Sequence, residues 1–145
     1  MNTARLILRR PLASDADEMH DLFADEATCM RYGFPHFSAC DADFLAAFAP
    51  LTKSDDALAV IVPGDGRLVG LIHLEDAGES LSFRIALHPD YRGLGYAQEA
   101  LKALFAACGK ASVICTVQED NLPGRKLVNA LHFVQENNLY RLTLS

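Results

Sequence analysis

The segment with the clearest chemical potential covers residues 87–97 and reads Leu-His-Pro-Asp-Tyr-Arg-Gly-Leu-Gly-Tyr-Ala. An apolar strand pattern precedes it and a helical pattern follows it, so Gly93 and Gly95 lie in the loop that enters a helix. Glycine lets the main chain approach a ligand closely, and the first N–H groups of a helix favour an anion. The segment therefore predicts a phosphate site. The alternative is that both glycines only permit the turn.

Two common nucleotide-binding motifs are not satisfied by this segment. A dinucleotide fingerprint requires a third glycine three residues after Gly95, and that position is Gln98. The chain also contains no Gly-Lys-Ser or Gly-Lys-Thr, which a Walker loop requires. Cys29, His36 and Cys40 are conceivable metal ligands, but their spacing matches no common zinc pattern, and we expect no metal site.

Hydrophobic periodicity predicts the elements that must position the loop, in the order β-α-α-β-β-β-α-β-α-β-β. Short turns join the middle strands, so these strands should pair antiparallel, whereas the helix after the fourth strand allows the fourth and fifth strands to lie parallel. We expect an α/β fold with a mixed, mostly antiparallel central sheet flanked by helices. The predicted strands cover residues 5–9, 57–62, 68–74, 80–87, 113–117, 133–136 and 139–144. The predicted helices follow Ser14 and Ser38 and cover residues 92–108 and 122–131.

The composition is that of one ordinary globular domain over residues 1–145, with 50% hydrophobic and 22% charged residues. The formal net charge is −6, and the basic residues are scattered, so neither nucleic acid nor an anionic membrane is an expected partner. No secretory signal opens the chain, and the four cysteines form no C-x-x-C pair. We therefore expect a cytoplasmic protein with reduced thiols.

The phosphate-loop residues resemble those of the GNAT family, the GCN5-related N-acetyltransferases. Arg92-x-x-Gly95-x-Ala97 matches the family's Gln/Arg-x-x-Gly-x-Gly/Ala pyrophosphate motif. Residues 3–9 and 30–32, and Asn121 followed twelve residues later by a phenylalanine, resemble the subgroup that includes ribosomal-protein N-terminal acetyltransferases. The resemblance runs in order through nearly the entire chain, which makes the short motif specific.

The resemblance implies that acetyl-coenzyme A is the cosubstrate and that its acetyl group passes to a primary amine by direct attack on the thioester. The diphosphate would bind the amides of residues 93–97, and the pantetheine arm would follow the strand that ends at Ala86 and Leu87, which in this family splays from its neighbour. An amide near Leu87 would stabilise the oxyanion. Asn121 would contact the cosubstrate or a water molecule, and its alternative role is a helix N-cap. The implied cosubstrate-binding residues are Ala86, Leu87, Arg92, Gly93, Leu94, Gly95, Tyr96, Ala97 and Asn121.

Several positions depart from the family pattern, among them two where relatives carry catalytic residues. Several relatives carry a glutamate base on the fourth strand, and that position here is Ser82. Many relatives carry a tyrosine acid seven residues after the asparagine, and that position is Val128. The serine or alanine that is common three residues after the asparagine is replaced by Gly124. Family matching therefore does not identify the catalytic acid and base of this chain.

The strand pattern itself offers a candidate base. If the turn covers residues 76–79, His73 lies opposite Ser82 on the antiparallel ladder. Alternate residues share a face, so His73, Glu75, Ser82 and Arg84 form one polar strip. Histidine titrates near neutrality, so His73 is the candidate base, acting through water, with Glu75 and Ser82 as further candidate catalytic residues. The alternative is a half-exposed sheet face of ordinary solvated residues.

Together, the pattern and the resemblance predict an N-acetyltransferase whose acceptor is a protein N-terminus or a small amine. The subgroup resemblance favours a peptide acceptor. A catalytically silent acyl-coenzyme A binding protein is the alternative, which the missing glutamate and tyrosine favour. The sequence leaves open whether the chain forms a homodimer.

Overall fold

The computed structural model describes residues 1–24, 46, 48–53 and 55–144. The helices in this part of the chain are α1 (Ala16–Leu22), α2 (Tyr96–Ala107) and α3 (Leu122–Ala130). The strands are β1 (Ile7–Arg9), β2 (Ala57–Val62), β3 (Arg67–Ala77), β4 (Ser80–Leu87), β5 (Ser112–Cys115), β6 (Val134–Glu136) and β7 (Leu139–Thr143).

All seven of these strands join one sheet in the spatial order β1-β2-β3-β4-β5-β7-β6. Each neighbouring pair is antiparallel except β4 and β5, which are parallel and are connected through α2. The predicted fold class, a mixed and mostly antiparallel sheet flanked by helices, is confirmed. The parallel pair places the loops after β4 and β5 at the same edge of the sheet, because both strands run toward that edge.

Each face of the sheet carries its own hydrophobic cluster. Alternate strand residues on one face pack against α1, through Met19 and Leu22. Residues on the opposite face pack against the buried stripe of α2, which includes Leu101 and Phe105. Because α2 packs against β4 and β5, its first turn lies beside the ends of these strands.

The β3–β4 connection is shorter than predicted, and the predicted register is wrong by two residues. The turn consists of residues 78–79, with Ala77 opposite Ser80, because Gly78 adopts a left-handed φ of 77° that a two-residue turn requires. His73 therefore lies opposite Arg84, not opposite Ser82. A shift of two residues keeps every side chain on its predicted face.

Helix α2 begins four residues later than predicted. Gly93 and Gly95 have φ values of 76° and 80°, which lie outside the right-handed helical region, so regular hydrogen bonding begins only at Tyr96. Strand β5 also ends at Cys115, two residues before its predicted end. Both differences lengthen the loops after β4 and β5, at the edge of the sheet where the sequence predicts the phosphate site.

Some predictions fall outside the described residues. The conceivable metal ligands Cys29, His36 and Cys40 lie there, as does most of the predicted helix after Ser38. Leu51, at the end of that predicted helix, lies in a short 3-10 turn over Ala49–Thr52. No helix within the described ranges is long and apolar enough to cross a membrane.

A buried polar cluster joins β4, β5 and β7 at the start of the parallel pair. The hydroxyl oxygens of Ser80 and Ser112 lie 2.6 Å apart. Nη1 of Arg141 donates to both hydroxyls, at 3.1 and 3.0 Å. Since both serines are less than a tenth exposed, these hydrogen bonds are shielded from competing water and tie the three strands together.

Candidate functional site

The parallel strands β4 and β5 pair over a short distance and then separate. Their register covers only residues 80–82 of β4, whereas β4 continues for five more residues to Leu87. The separation opens a cleft of about 540 Å³ between the end of β4 and the segment after β5. The start of α2 closes one end of this cleft, which therefore connects a helix N-terminus with the unpaired edge of a strand.

The main chain of β4 faces the cleft at alternate residues. His88 N donates to Val69 O at 2.7 Å, which places residue 88 among the positions that bond to β3. In an antiparallel ladder the next residue, Leu87, then turns its N–H and C=O to the other side, where β5 has separated. Its carbonyl accepts a 3.0 Å hydrogen bond from Nε of Arg92. The predicted oxyanion donor, the N–H of Leu87, thus lies on the cleft side of the strand.

The loop that enters α2 presents main-chain donors to the same cleft. Gly93, Gly95, Tyr96 and Ala97 line the cleft, and Leu94 is half-exposed beside them. Across the described part of the chain, the N–H groups of residues 93–98 donate to no protein acceptor. These donors lie at the positive end of the α2 dipole, an arrangement that suits a phosphate group.

Asn121 caps α3 and also lines the cleft. Its Oδ1 accepts a 3.0 Å hydrogen bond from the N–H of Gly124, which is the geometry of an N-cap. A Cβ atom at Gly124 would lie 2.6 Å from Nδ2 of Asn121, so the glycine leaves room for this side chain. The capping role that the sequence left as an alternative is present, and the amide remains at the wall of the cleft.

Apart from Asn121, the second wall of the cleft was not predicted from the sequence. It comes from the end of β5 and the start of α3, and it includes Cys115, Thr116 and Lys126. Lys126 adds a cation to the one that Arg92 provides near the loop. The parallel arrangement of β4 and β5 is the signal that would have located this wall, because their following loops must share one edge.

The thiol of Cys115 is the one sulfur atom among the described residues that lines the cleft. Burial raises its pKa to about 12. The thiol therefore stays protonated at neutral pH, and a protonated thiol is a poor nucleophile.

The polar strip lies on the α1 face of the sheet and touches the cleft at one residue. Arg84 lines the cleft, whereas His73, Glu75 and Ser82 do not belong to its lining. Nη2 of Arg84 lies 3.3 Å from Nδ1 of His73, and Glu75 pairs with Ser82 one step further from the loop. The four side chains share a face of the sheet as predicted, but only Arg84 among them lines the cleft.

The environment of His73 favours its neutral form. Burial lowers the pKa of the imidazole, and the positive charge of Arg84 lowers it further. Both effects disfavour the imidazolium. His73 is therefore largely unprotonated at neutral pH, which is the state that can accept a proton.

A comparison with protein-family models matches residues 5–134 to the acetyltransferase (GNAT) domain. The chain belongs to the GNAT acetyltransferase family. Members of this family use acetyl-coenzyme A, and the free loop amides and open strand edge fit the diphosphate and amide groups of that molecule. A search of curated protein sequences gives no significant match.

Solved structures of GNAT proteins share this fold. The acetyltransferase (GNAT family) from Bacillus anthracis is 21% identical, with a TM-score of 0.84 over 99% of this chain and 97% of that chain. Spermidine N-acetyltransferase from Vibrio cholerae, in complex with CoA and spermine, is 17% identical, with a TM-score of 0.76 over 97% and 95%. RimJ from Mycobacterium smegmatis, in complex with CoA-disulfide, is 16% identical, with a TM-score of 0.70 over 95% and 81%. These neighbours share the fold, and they do not select the ribosomal-protein subgroup within the family.

Proposed function

We propose that this GNAT protein transfers the acetyl group of acetyl-coenzyme A to a primary amine. The observation that carries the proposal is the continuous cleft that runs from the free amides of residues 93–98 to the unpaired edge of β4. A diphosphate needs the first feature, and an extended amide-containing arm needs the second. Lys126 and Arg92 supply positive charge at the same cleft, which favours a polyanionic donor.

Each predicted binding residue has a task in this arrangement. The amides of residues 93–97 bind the diphosphate, and the pantetheine arm follows the end of β4, where Ala86 lines the cleft while its own N–H and C=O face β3. The N–H of Leu87 faces the cleft and stabilises negative charge that develops on the thioester oxygen. Arg92 holds the carbonyl of Leu87, which keeps the end of β4 in place. Asn121 holds the start of α3 at the opposite wall.

Direct transfer to the amine fits the groups at the cleft better than transfer through the enzyme. An acyl-enzyme route needs an activated nucleophile in the cleft. The nearest thiol, that of Cys115, stays protonated because burial raises its pKa to about 12. The acceptor nitrogen therefore attacks the thioester carbon itself, and coenzyme A leaves as the thiol once a proton is supplied.

His73 remains our candidate for removing the proton from the acceptor amine. It is separated from the cleft by Arg84, so it acts through an intervening water molecule. Its lowered pKa keeps it ready to accept a proton at neutral pH. Ser82 and Glu75 lie further along the polar strip from the cleft, and we propose no direct contact between them and the acceptor.

The acceptor class is a protein N-terminus or a small amine. The net charge of −6 favours a cationic acceptor. Among the structural neighbours, one is named for spermidine, so a polyamine belongs in the test panel beside the peptides that the subgroup resemblance favours.

Calorimetric titration with coenzyme A, followed by a thiol-release assay with acetyl-coenzyme A, tests the proposal. The assay panel contains spermidine, free amino acids and short peptides with free N-termini. We expect micromolar binding and amine-dependent thiol release with at least one class. Binding without turnover on any acceptor supports the silent acyl-coenzyme A binding protein instead. Absence of binding refutes both.

A further inference from the structure

The segment that precedes β1 folds back on itself and contacts the first turn of α2. Thr3 N donates to the carbonyl of Leu6 at 2.8 Å, and Leu6 N donates to Oγ1 of Thr3 at 3.0 Å. The Thr3 hydroxyl donates to Oε2 of Glu99. This compact turn fixes the position of Arg5, which lies at its centre.

Arg5 joins the turn to the loop that enters α2. Its Nε donates to Oε1 of Glu99 at 2.8 Å, and its main-chain N donates to Oε2 of the same carboxylate at 2.9 Å. Its Nη1 donates to the carbonyl of Leu94 at 3.0 Å. The guanidinium also stacks 4.6 Å from the centre of the Tyr96 ring. One side chain thus contacts three residues within and just after the loop.

The contact with Leu94 determines the direction of the next amide. In a trans peptide unit the C=O and N–H groups point in opposite directions, so the N–H of Gly95 points away from Arg5. Gly95 lines the cleft, whereas Arg5 does not. The guanidinium therefore holds the peptide from outside while the N–H of Gly95 is directed to the cleft.

Glu99 completes the arrangement by holding Arg5 in turn. Its carboxylate accepts from the hydroxyl of Thr3 and from two groups of Arg5, and its side chain is 20% exposed. The hydrogen bond from Thr3, together with those from Arg5, keeps the pKa of this carboxyl below its ordinary value. The carboxylate is therefore ionised at neutral pH and can hold the guanidinium in one orientation.

We propose that Arg5 and Glu99 are positioning residues for the donor substrate, which arrange the loop amides before the diphosphate arrives. This inference rests on the proposed function, because it assigns a role within the same coenzyme A site. A loop that is already ordered loses less conformational entropy on binding, so the ion pair strengthens donor binding without contacting the reacting atoms. The acceptor site and the chemical step are unaffected.

The test compares Arg5→Ala with a matched control, Arg10→Ala. Arg10 is an exposed arginine of the same region that pairs with Asp55 and does not contact the loop, so the control removes the same charge. For Arg5→Ala we expect the Kd for coenzyme A and the KM for acetyl-coenzyme A to rise roughly tenfold, with kcat and the KM for the amine unchanged. For Arg10→Ala all four constants should stay within about twofold of the wild-type values.

Two further variants separate positioning from charge and from folding. Arg5→Lys keeps the charge but lacks the planar guanidinium that reaches Leu94 and Glu99 together, so it should bind coenzyme A nearly as weakly as Arg5→Ala. Glu99→Gln should weaken binding in the same direction, and its effect should not add to that of Arg5→Ala. Thermal unfolding without coenzyme A shows whether each variant is folded.

The outcomes distinguish this inference from the proposed function. If wild-type protein binds coenzyme A and Arg5→Ala binds it equally well, the inference is wrong and the proposed function stands. If Arg5→Lys restores wild-type affinity, the charge alone is sufficient, and positioning is refuted. A lower kcat with unchanged KM also overturns it, since that pattern indicates loss of active protein. If the wild type binds no coenzyme A, both the inference about Arg5 and Glu99 and the proposed function are refuted.

Discussion

Replacing Gly95 by alanine tests whether the left-handed loop is what holds the coenzyme. Gly95 has a φ of 80°, and an L-residue in this region costs about 1–2 kcal/mol. A Cβ atom would also lie 3.3 Å from Nη2 of Arg5, which is a tight but displaceable contact. Because the loop is exposed, we expect it to relax away from this conformation in the free protein. Binding must then restore the conformation, so the Kd for coenzyme A should rise about 5- to 30-fold.

Gly78→Ala is the matched control for this backbone strain. Gly78 has a φ of 77°, with open space where a Cβ would be placed, and it lies in the β3–β4 turn away from the cleft. The two-residue turn cannot relax without breaking the hairpin, so this variant should lose about 1–2 kcal/mol of unfolding free energy. Its Kd for coenzyme A should be unchanged. The assays are calorimetric titration with coenzyme A and denaturant unfolding of each variant.

One result would refute the reasoning. If Gly95→Ala binds coenzyme A with wild-type affinity, the left-handed conformation of the loop does not contribute to binding. The amides of residues 93–98 would then be solvated donors at an ordinary helix start, and the diphosphate would have to bind elsewhere in the cleft.

Three other predictions concern the base, the sheet and the cap. In the wild type, kcat/KM should rise with pH as His73 loses its proton, at a pH below the ordinary histidine pKa because burial favours the neutral imidazole. His73→Gln should remove this rise. An unchanged pH profile in the variant excludes His73 as the base. Gly70→Ala should cost about 1–3 kcal/mol of unfolding free energy, because its Cβ would lie 2.8 Å from the carbonyl oxygen of Ala86. The control, Gly64→Ala, places its Cβ in open space and should cost under about 0.5 kcal/mol. Equal losses in the two variants would contradict this description of the packing around Gly70. Asn121→Ala should cost about 1 kcal/mol as a lost N-cap. A weaker affinity for coenzyme A in the same variant would indicate direct contact, and an unchanged affinity would limit Asn121 to capping.

The order of the described elements could be predicted because it depends on local patterns. Alternating apolar residues define β4, and helical spacing defines α2, with glycines between them. The exact turn between β3 and β4 could not be predicted, since residues 76–79 suit either a four-residue or a two-residue turn. The choice depends on the φ that Gly78 adopts once the strands pair, and pairing is a property of the whole sheet.

The same distinction separates the parts of the candidate site. The loop at Gly93 and Gly95 is continuous in sequence, so its shape could be anticipated from residue types alone. The wall that contains Cys115 and Lys126 comes from a different strand and helix, and its position follows only from the parallel packing of β4 and β5. The separation of His73 from the cleft likewise depends on side-chain placement, which no spacing rule supplies.

The serine–arginine cluster at Ser80, Ser112 and Arg141 has a consequence for the choice of acyl donor. The cluster ties the two parallel strands together at Ser80 and Ser112, and the strands separate after Ser82, so contacts several residues away from the cleft hold the strands from which it opens. Substitutions in the C-terminal hairpin, which contributes Arg141, can therefore alter the length of acyl chain that the protein accepts while the residues that bind the nucleotide stay the same. Substitutions that lengthen or shorten the accepted acyl group should be sought there first.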